Sequence, residues 1–187
     1  SAKPSPVSVF TPVFGAAVRC LSLERLIATK RAAGRPKDLV ALRFKTNSWG
    51  GKYELPDDVT VGDDVARLAG AKVKRFDFVL EGGAVDQDGE GTILTTRQTL
   101  LNPNRNGWGK EQAEAALRQA FGAKAIIWID EGLKNDHTDG HIDNITRFVS
   151  PGRVVCQAAS GADDPNAETL DAIAATLANA TDAAGRK

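Results

Sequence analysis

The feature that most constrains this chain is that it repeats itself. Gly70-Ala71-Lys72 precedes one apolar, alternating run, and Gly122-Ala123-Lys124 precedes another, 52 residues later. Further along, Asn102-Pro103-Asn104 matches Asp164-Pro165-Asn166, and Glu81 matches Asp143, both at an offset of 62. Self-similarity at such a period points to supersecondary units that stack or surround a common axis. The growth in offset places a ten-residue insertion between the Ala125 run and Asp143, in the polar segment that holds His137 and His141. On this reading two copies of a strand–strand–strand–helix unit set carboxylates at equivalent strand edges, and the second copy adds a loop that delivers an imidazole. The competing reading is chance similarity between neighbouring α/β units.

The local patterns agree with a mixed α/β chain. Leu39 to Phe44 alternates as a strand, and so does Val73 to Leu80, with Phe76, Phe78 and Leu80 on one face. Asn47 to Gly51 reads as a loop. Asp63 caps a short helix that carries Val65 and Leu68 inward and stops at Gly70. Ala84–Asp86 and Thr92–Thr95 form a hairpin across Gln87-Asp88-Gly89, since Asp-Gly is a strong turn signal. Lys110 to Phe121 has helical spacing on Ala113, Ala116, Leu117 and Ala120, with Gly122 as its stop. Ala125 to Ile129 is a buried strand. Strands at 144–149 and 154–158 turn at Pro151-Gly152. Asp164-Pro165 opens a last helix with Leu170, Ile173, Ala174 and Leu177 facing inward.

Composition narrows the function. The longest uninterrupted apolar stretch is five residues, Ala125 to Ile129, too short for a membrane span. Lys+Arg and Asp+Glu are 24 each, so no general pull toward nucleic acid or an anionic membrane exists. The two cysteines, Cys20 and Cys156, argue against a disulfide scaffold and for a reducing compartment, the cytoplasm. Residues 1–38 carry seven positive and two negative charges, and the remainder carries 17 and 22. With Pro4, Pro6 and Pro12 as breakers, 1–38 reads as an irregular basic arm with at most a short helix near Leu23–Ile27. The domain proper is expected over 39–187.

Two clusters carry candidate chemistry. The run from Asp136 to Asp143 holds both histidines and three aspartates in eight residues. Imidazole and carboxylate are the right ligand types for a metal, with His137, Asp139 and His141 as the set. They are equally the groups of acid–base catalysis, with a His steered by a carboxylate. A solvated polar loop is the third reading, and the residues alone leave all three open. Glu81-Gly82-Gly83 ends an apolar strand, where a carboxylate projects from a rigid edge and the glycines permit close approach. Asp86 to Gly89 is not a calcium loop, because Ala84 and Thr95 stand at the first and last ligand positions. Cys156, inside an apolar strand, reads as a small core residue.

Taken together, the motifs resemble a known family. Asn47-Ser48-Trp49-Gly50-Gly51-Lys52-Tyr53, Glu81 to Thr92, Thr95-Thr96, Leu101-Asn102-Pro103-Asn104-Arg105-Asn106 and Asn135 to Asn144 follow in order as they do in agmatine deiminase, the bacterial-type peptidyl-arginine deiminases. The resemblance runs from about Leu39 to the C-terminus. It implies a pentein-type α/β propeller, built of five pseudo-symmetric ββαβ units around a central site, with about three of them in this chain.

It also implies a chemistry: hydrolysis of a guanidinium C–N bond, agmatine giving N-carbamoylputrescine and ammonia on a route to polyamines. A Cys thiolate attacks the guanidinium carbon, a His shuttles protons, a Glu orients the His and two Asp clamp the substrate. Carried onto this chain, His141 is the acid/base, Glu81 its partner and Asp143 one clamp, with Trp49 beside Asp143 in substrate binding. No cofactor and no metal are implied. The partner is a small cationic guanidinium, and a homo-oligomer is compatible with the family. The departures are equally definite. The family's C-terminal Gly-rich segment ending in Cys is not here, no Arg-Asp pair supplies the second clamp, and Thr46 stands where an aromatic is common. The expectation is therefore a partial copy of the enzyme that lacks the nucleophile.

Overall fold

Period-two alternation with heavy β-branched and aromatic content forces Lys72–Val79 into a strand, and Gly-rich turns return the chain on itself. The computed structural model describes residues 9–13, 16–20, 40–161 and 163–187. The chain divides into two units, Ser1–Ala41 with Val61–Lys74, and Leu42–Thr60 with Arg75–Lys187.

In the first unit, β1 (Val9–Val13) and β2 (Ala16–Cys20) form an antiparallel hairpin that pairs Val9 with Cys20 and Val13 with Ala16. A hairpin stands where an irregular arm was expected. Pro12 sits within β1, and a two-stranded ribbon leaves each strand an open edge where a missing N–H is harmless. The expected helix near Leu23–Ile27 lies outside the described residues. Helix α1 (Asp58–Leu68) begins before Asp63, and its buried residue is Ala66 rather than the expected Val65 and Leu68.

β3 (Val40–Lys45) pairs with β4 (Lys72–Val79), the larger part of each strand lying in the second unit, where the rings of Phe44, Phe76 and Phe78 pack within 5.2–5.6 Å of one another. The hairpin of β5 (Val85–Gln87) and β6 (Thr92–Thr96) forms as the Asp-Gly turn requires, with Val85 opposite Thr95. β7 (Ala125–Ile129) joins the other edge of β6 in parallel, giving the order β5-β6-β7. The short helix α2 (Arg97–Leu100) follows β6, and α3 (Lys110–Phe121) crosses from β6 to β7. β8 (Thr146–Ser150) and β9 (Arg153–Cys156) form a second antiparallel hairpin, followed by α4 (Ala167–Asn179). A hairpin followed by a helix thus occurs twice in the order that the repeat required.

β6 is buried on both faces and divides the core. Ile93 enters a cluster with Leu80, Ala84, Leu100, Leu117 and Ala123. Its neighbour Leu94 points the other way, into Ile129, Ile142, Ile145, Leu170 and Ile173. Two inward expectations fail. Ala174 is exposed on α4, and Cys156 is exposed at the end of β9, because this two-stranded sheet is covered on one side only and only near Val154. No helix among the described residues is long and apolar enough to cross a membrane.

Because the two clusters share no member, truncations in each should be independent. Leu117→Ala and Ile173→Ala are each expected to cost about 2–5 kcal/mol. The double variant is expected to lose their sum to within about 0.5 kcal/mol in urea unfolding. A coupling above about 1 kcal/mol would mean that the two clusters are one core.

Candidate active site

The strand ends and turns around β6 gather the polar residues that the sequence singled out. β4 runs out at Val79, and Asn106 clasps its end, donating to Val79 O and accepting from Val79 N, both at 2.9 Å. Two residues on, Glu81 precedes a tight turn over Gly82–Ala84. That turn is pinned from beneath by the buried Thr95 hydroxyl, which donates to Ala84 O at 2.8 Å. In the second half of the chain, His141 precedes a similar turn over Ile142–Asn144, which contains Asp143; counted by these turns Glu81 corresponds to His141, whereas the offset of 62 paired it with Asp143.

The loop that carries His141 is held by its own acids and by β6. Asp136 accepts from the Thr138 N–H and hydroxyl, the His141 N–H and the Asn144 amide. Burial pushes its carboxyl up, but these hydrogen bonds prevail and hold it below the usual carboxylate range. Thr96 and Thr99, both fully buried, donate to Gly140 O and Asp139 O at 2.7 Å. Hydroxyls from the end of β6 and from α2 therefore fix the two backbone carbonyls just ahead of His141.

His141 is 4% exposed. Its Nε2 faces Glu81 Oε2 at 3.9 Å, and its Nδ1 faces Asp143 Oδ1 at 4.0 Å. Neither Glu81 Oε2 nor His141 Nε2 has a hydrogen-bond partner within the protein. Glu81, His141 and Asp143 are brought together as expected, but at ion-pair rather than hydrogen-bond distance. Burial dominates the imidazole and pulls its pKa below 6.5. Glu81, Asp143 and Asp136 oppose this, and Arg105 adds to it. The neutral ring is thus favoured, although a neighbouring carboxylate alone would have held the proton. Gly83 closes the third side. A Cβ there would overlap His141 Nδ1 and sit 2.7 Å from Asp143 Oδ2, so only glycine lets the strand edge approach the pair.

Arg105 lies behind Glu81 with a fully buried side chain. Nε donates to Glu81 Oε1 at 2.9 Å, Nη2 to Thr138 O at 2.9 Å, and Nη1 to Asn104 Oδ1 at 2.7 Å and to Asp139. Asp139 also receives Lys52 Nζ at 2.5 Å and the Asn104 amide. Burial again pushes this carboxyl up, but the two cations and the amide bring it down to about 2. The turn Asn47–Gly51 closes over this network. Asn47 accepts from Gly50 N and donates to Asn104 O at 2.7 Å, and Ser48 and Trp49 adopt positive φ. A Cβ on Gly50 would lie 2.7 Å from Asn104 Cγ and 2.9 Å from Arg105 Nη1.

Trp49 meets Tyr53 and His137 edge-on at 5.6 and 5.8 Å, so it packs on the loop leading to His141. His137, Asp139 and His141 do not gather as a ligand set. Both Asp139 oxygens are taken by cations, and His137 is exposed against the two aromatic rings. Among the described residues no group of three His, Cys, Asp or Glu is arranged to hold a metal. Sequence reasoning gave no role to Arg105, Thr95, Thr96 or Lys52. All four stand in the quoted motifs, and a charged residue in an otherwise turn-forming Asn-Pro-Asn-Arg-Asn run was the available signal.

This mixed α/β architecture is the one seen in agmatine deiminase structures. The Enterococcus faecalis agmatine deiminase superposes with a TM-score of 0.72 at 32% identity, over 79% of this chain and 42% of that one. A C. jejuni agmatine deiminase with a Cys-to-Ser substitution and substrate bound gives 0.70 at 34% identity, over 79% and 44%. The agmatine deiminase of Stutzerimonas stutzeri is 45% identical over 148 residues, 75% of this chain and 40% of its own length. Residues 18–187 match the Porphyromonas-type peptidyl-arginine deiminase family, and the chain belongs to it. It spans about two fifths of the length of the curated relatives it matches.

Two outcomes follow from this geometry. Gly83→Ala is expected to displace the His141 ring and cost about 1–3 kcal/mol by overpacking. Gly82→Ala, whose Cβ meets nothing within 4 Å, should leave the His141 NMR signals in place. A silent Gly83→Ala would refute the packing. The second outcome concerns pH. The folded state resists protonating His141, so its contribution is whole above 6.5 and is lost as pH falls through the lowered folded value. Urea midpoints should therefore drop below pH 6.5 in the native chain, and the slope should shrink in His141→Gln.

Proposed function

We propose that this chain carries the acid–base half of a guanidinium-hydrolysing site of the agmatine deiminase type. The observation that supports it most is the facing of Glu81 Oε2 and His141 Nε2 across 3.9 Å, both buried and unpartnered, with Asp143 at the ring's other nitrogen. Buried polar atoms are ordinarily satisfied, and unpartnered ones in a strand-edge site invite a chemical role. The two copies of hairpin plus helix support reading residues 39–187 as about three of the five units of a pentein-type propeller.

In this reading Asp143, 35% exposed at its side chain, accepts the forked N–H groups of the planar cation. An imidazole that rests neutral acts as a base first. It takes the proton of the family's attacking thiol, and the imidazolium is then stabilised by Glu81 Oε2. That proton passes to the departing ammonia, and the next one comes from the water that resolves the covalent intermediate. Trp49, through its packing on His137, lines the approach to the site. Cys156 does not serve as the thiol, since it is exposed on β9 and makes no contact with Glu81, His141 or Asp143 among the described hydrogen bonds and ion pairs.

The test is to incubate the 187-residue chain with agmatine and measure binding and ammonia separately. Binding is expected, and it should weaken about tenfold or more in Asp143→Asn, the worth of one charge-assisted hydrogen bond. Ammonia release is expected to match the His141→Ala control. Turnover on the order of 1 s⁻¹ that disappears in Cys156→Ser or Cys20→Ser would place the nucleophile within this chain and overturn the division of labour. Binding unaffected by Asp143→Asn would remove the clamp.

A further inference from the structure

Guanidinium hydrolysis accounts for His141, Glu81 and Asp143 but leaves a buried cation among them without a task. Taking a guanidinium out of water is costly, so the partners of Arg105 must offset its burial. A scaffold arginine could be satisfied by backbone carbonyls alone. Arg105 instead divides its fork, with Nε on Glu81 Oε1 and Nη2 on Thr138 O, each at 2.9 Å. Glu81 Oε1 is therefore occupied, and Oε2 is left to face the imidazole. The second contact fixes the backbone three residues ahead of His141. Nη1 ties the same guanidinium to Asp139, which Thr99 and Lys52 hold in turn.

We propose that Arg105 is the positioning residue of this site: one buried fork sets both where Glu81 and His141 meet and how much of the carboxylate's charge the imidazole feels. This rests on reading His141 as the proton carrier, but the consequence is readable on the ring itself, without turnover. The charged groups that face His141 are Glu81, Asp143 and Asp136 on the anionic side and Arg105 on the cationic side. Removing Arg105 frees the full field of Glu81 and takes away a cation that disfavours imidazolium, while Arg147 stays 3.9 Å from Asp143. It also releases the loop carbonyl, so a change of position and a change of charge should come together.

The chain has two histidines, so NMR titration resolves both, and His137→Gln assigns them. The native His141 is expected to titrate below about 6.5, the ordinary imidazole value. Arg105→Met should raise its midpoint by about one unit or more, the effect of a single nearby charge. Arg105→Lys, which keeps the charge and gives up the fork, should raise it by less. A native midpoint at or above about 6.5, or a folded Arg105→Met with the native midpoint, overturns the proposal. Should Arg105→Met not fold, Arg105→Met with Asp139→Asn removes a cation and an anion together and is read in the same way. Arg105→Lys with native midpoint and native His141 chemical shifts would show that the fork is dispensable, and that also overturns it. These outcomes are independent of agmatine binding, so the positioning role can fail while the deiminase reading stands, and the converse holds too.

Discussion

Thr92–Thr96 is buried along its whole length, and the polar groups it carries into the interior must be met there. Its two aliphatic side chains separate the core into halves, and its hydroxyls do the rest. Thr92 accepts from the Ala183 N–H, Thr95 donates to Ala84 O, and Thr96 donates to Gly140 O. The last two acceptors lie in the turn after Glu81 and in the residue before His141. A strand that must satisfy buried hydroxyls thereby fixes the two backbone segments whose side chains face each other. The site is accurate because the strand beneath it has no other way to be buried.

Above that strand, charge is arranged so that no buried ion stands alone. Glu81 and Asp139 share Arg105, and Lys52 adds a second cation on Asp139 from the partly exposed side. Isolated burial of any of these would cost several kcal/mol. Pairing offsets most of that and leaves a rigid lattice that spans four separated stretches of sequence, around Lys52, Glu81, Arg105 and Asp139. Removing a single member strands its partners, which makes the lattice a device of specificity more than of net stability.

Much of this was legible before any coordinates. The helix over Lys110–Phe121 and the hairpin across Asp88-Gly89 follow from short-range rules, since capping, period and turn chemistry are all local. The grouping of Glu81, His141 and Asp143 came from the family resemblance, and the structure sets Glu81 at 3.9 Å and Asp143 at 4.0 Å from the imidazole. What local rules could not reach were terms set by three-dimensional surroundings. Cys156 reads as core by its apolar neighbours, yet a two-stranded sheet covers only one of its faces. Ala66 is buried in α1 in place of Val65 and Leu68, with Gly62, Asp63 and Ala69 half-buried on the same stripe, because packing and not local spacing selects which helix face is covered. Arg105 received no role from the sequence. Its burial depends on the partners that converge on it from Glu81, Thr138 and Asp139, and no window of sequence contains all of them.

The same surroundings decide the protonation logic of the site. A carboxylate beside an imidazole suggests a stabilised imidazolium, and on paper Glu81 and Asp143 should both favour it. Burial acts in the opposite sense and comes first, and Arg105 sides with burial. A planar cation arriving at Asp143 would add positive charge near the ring and favour the neutral form further. Under the proposed function, a guanidinium substrate and the scaffold would push in the same direction, toward an imidazole ready to accept a proton. In the proposed reading, the balance reverses only after a neighbouring group has given up its proton and become an anion, and the carboxylates would then hold the imidazolium that protonates the leaving amine. A pair kept at 3.9 Å, short of a hydrogen bond in the resting state, leaves that interaction to strengthen when the charge arrives rather than before it.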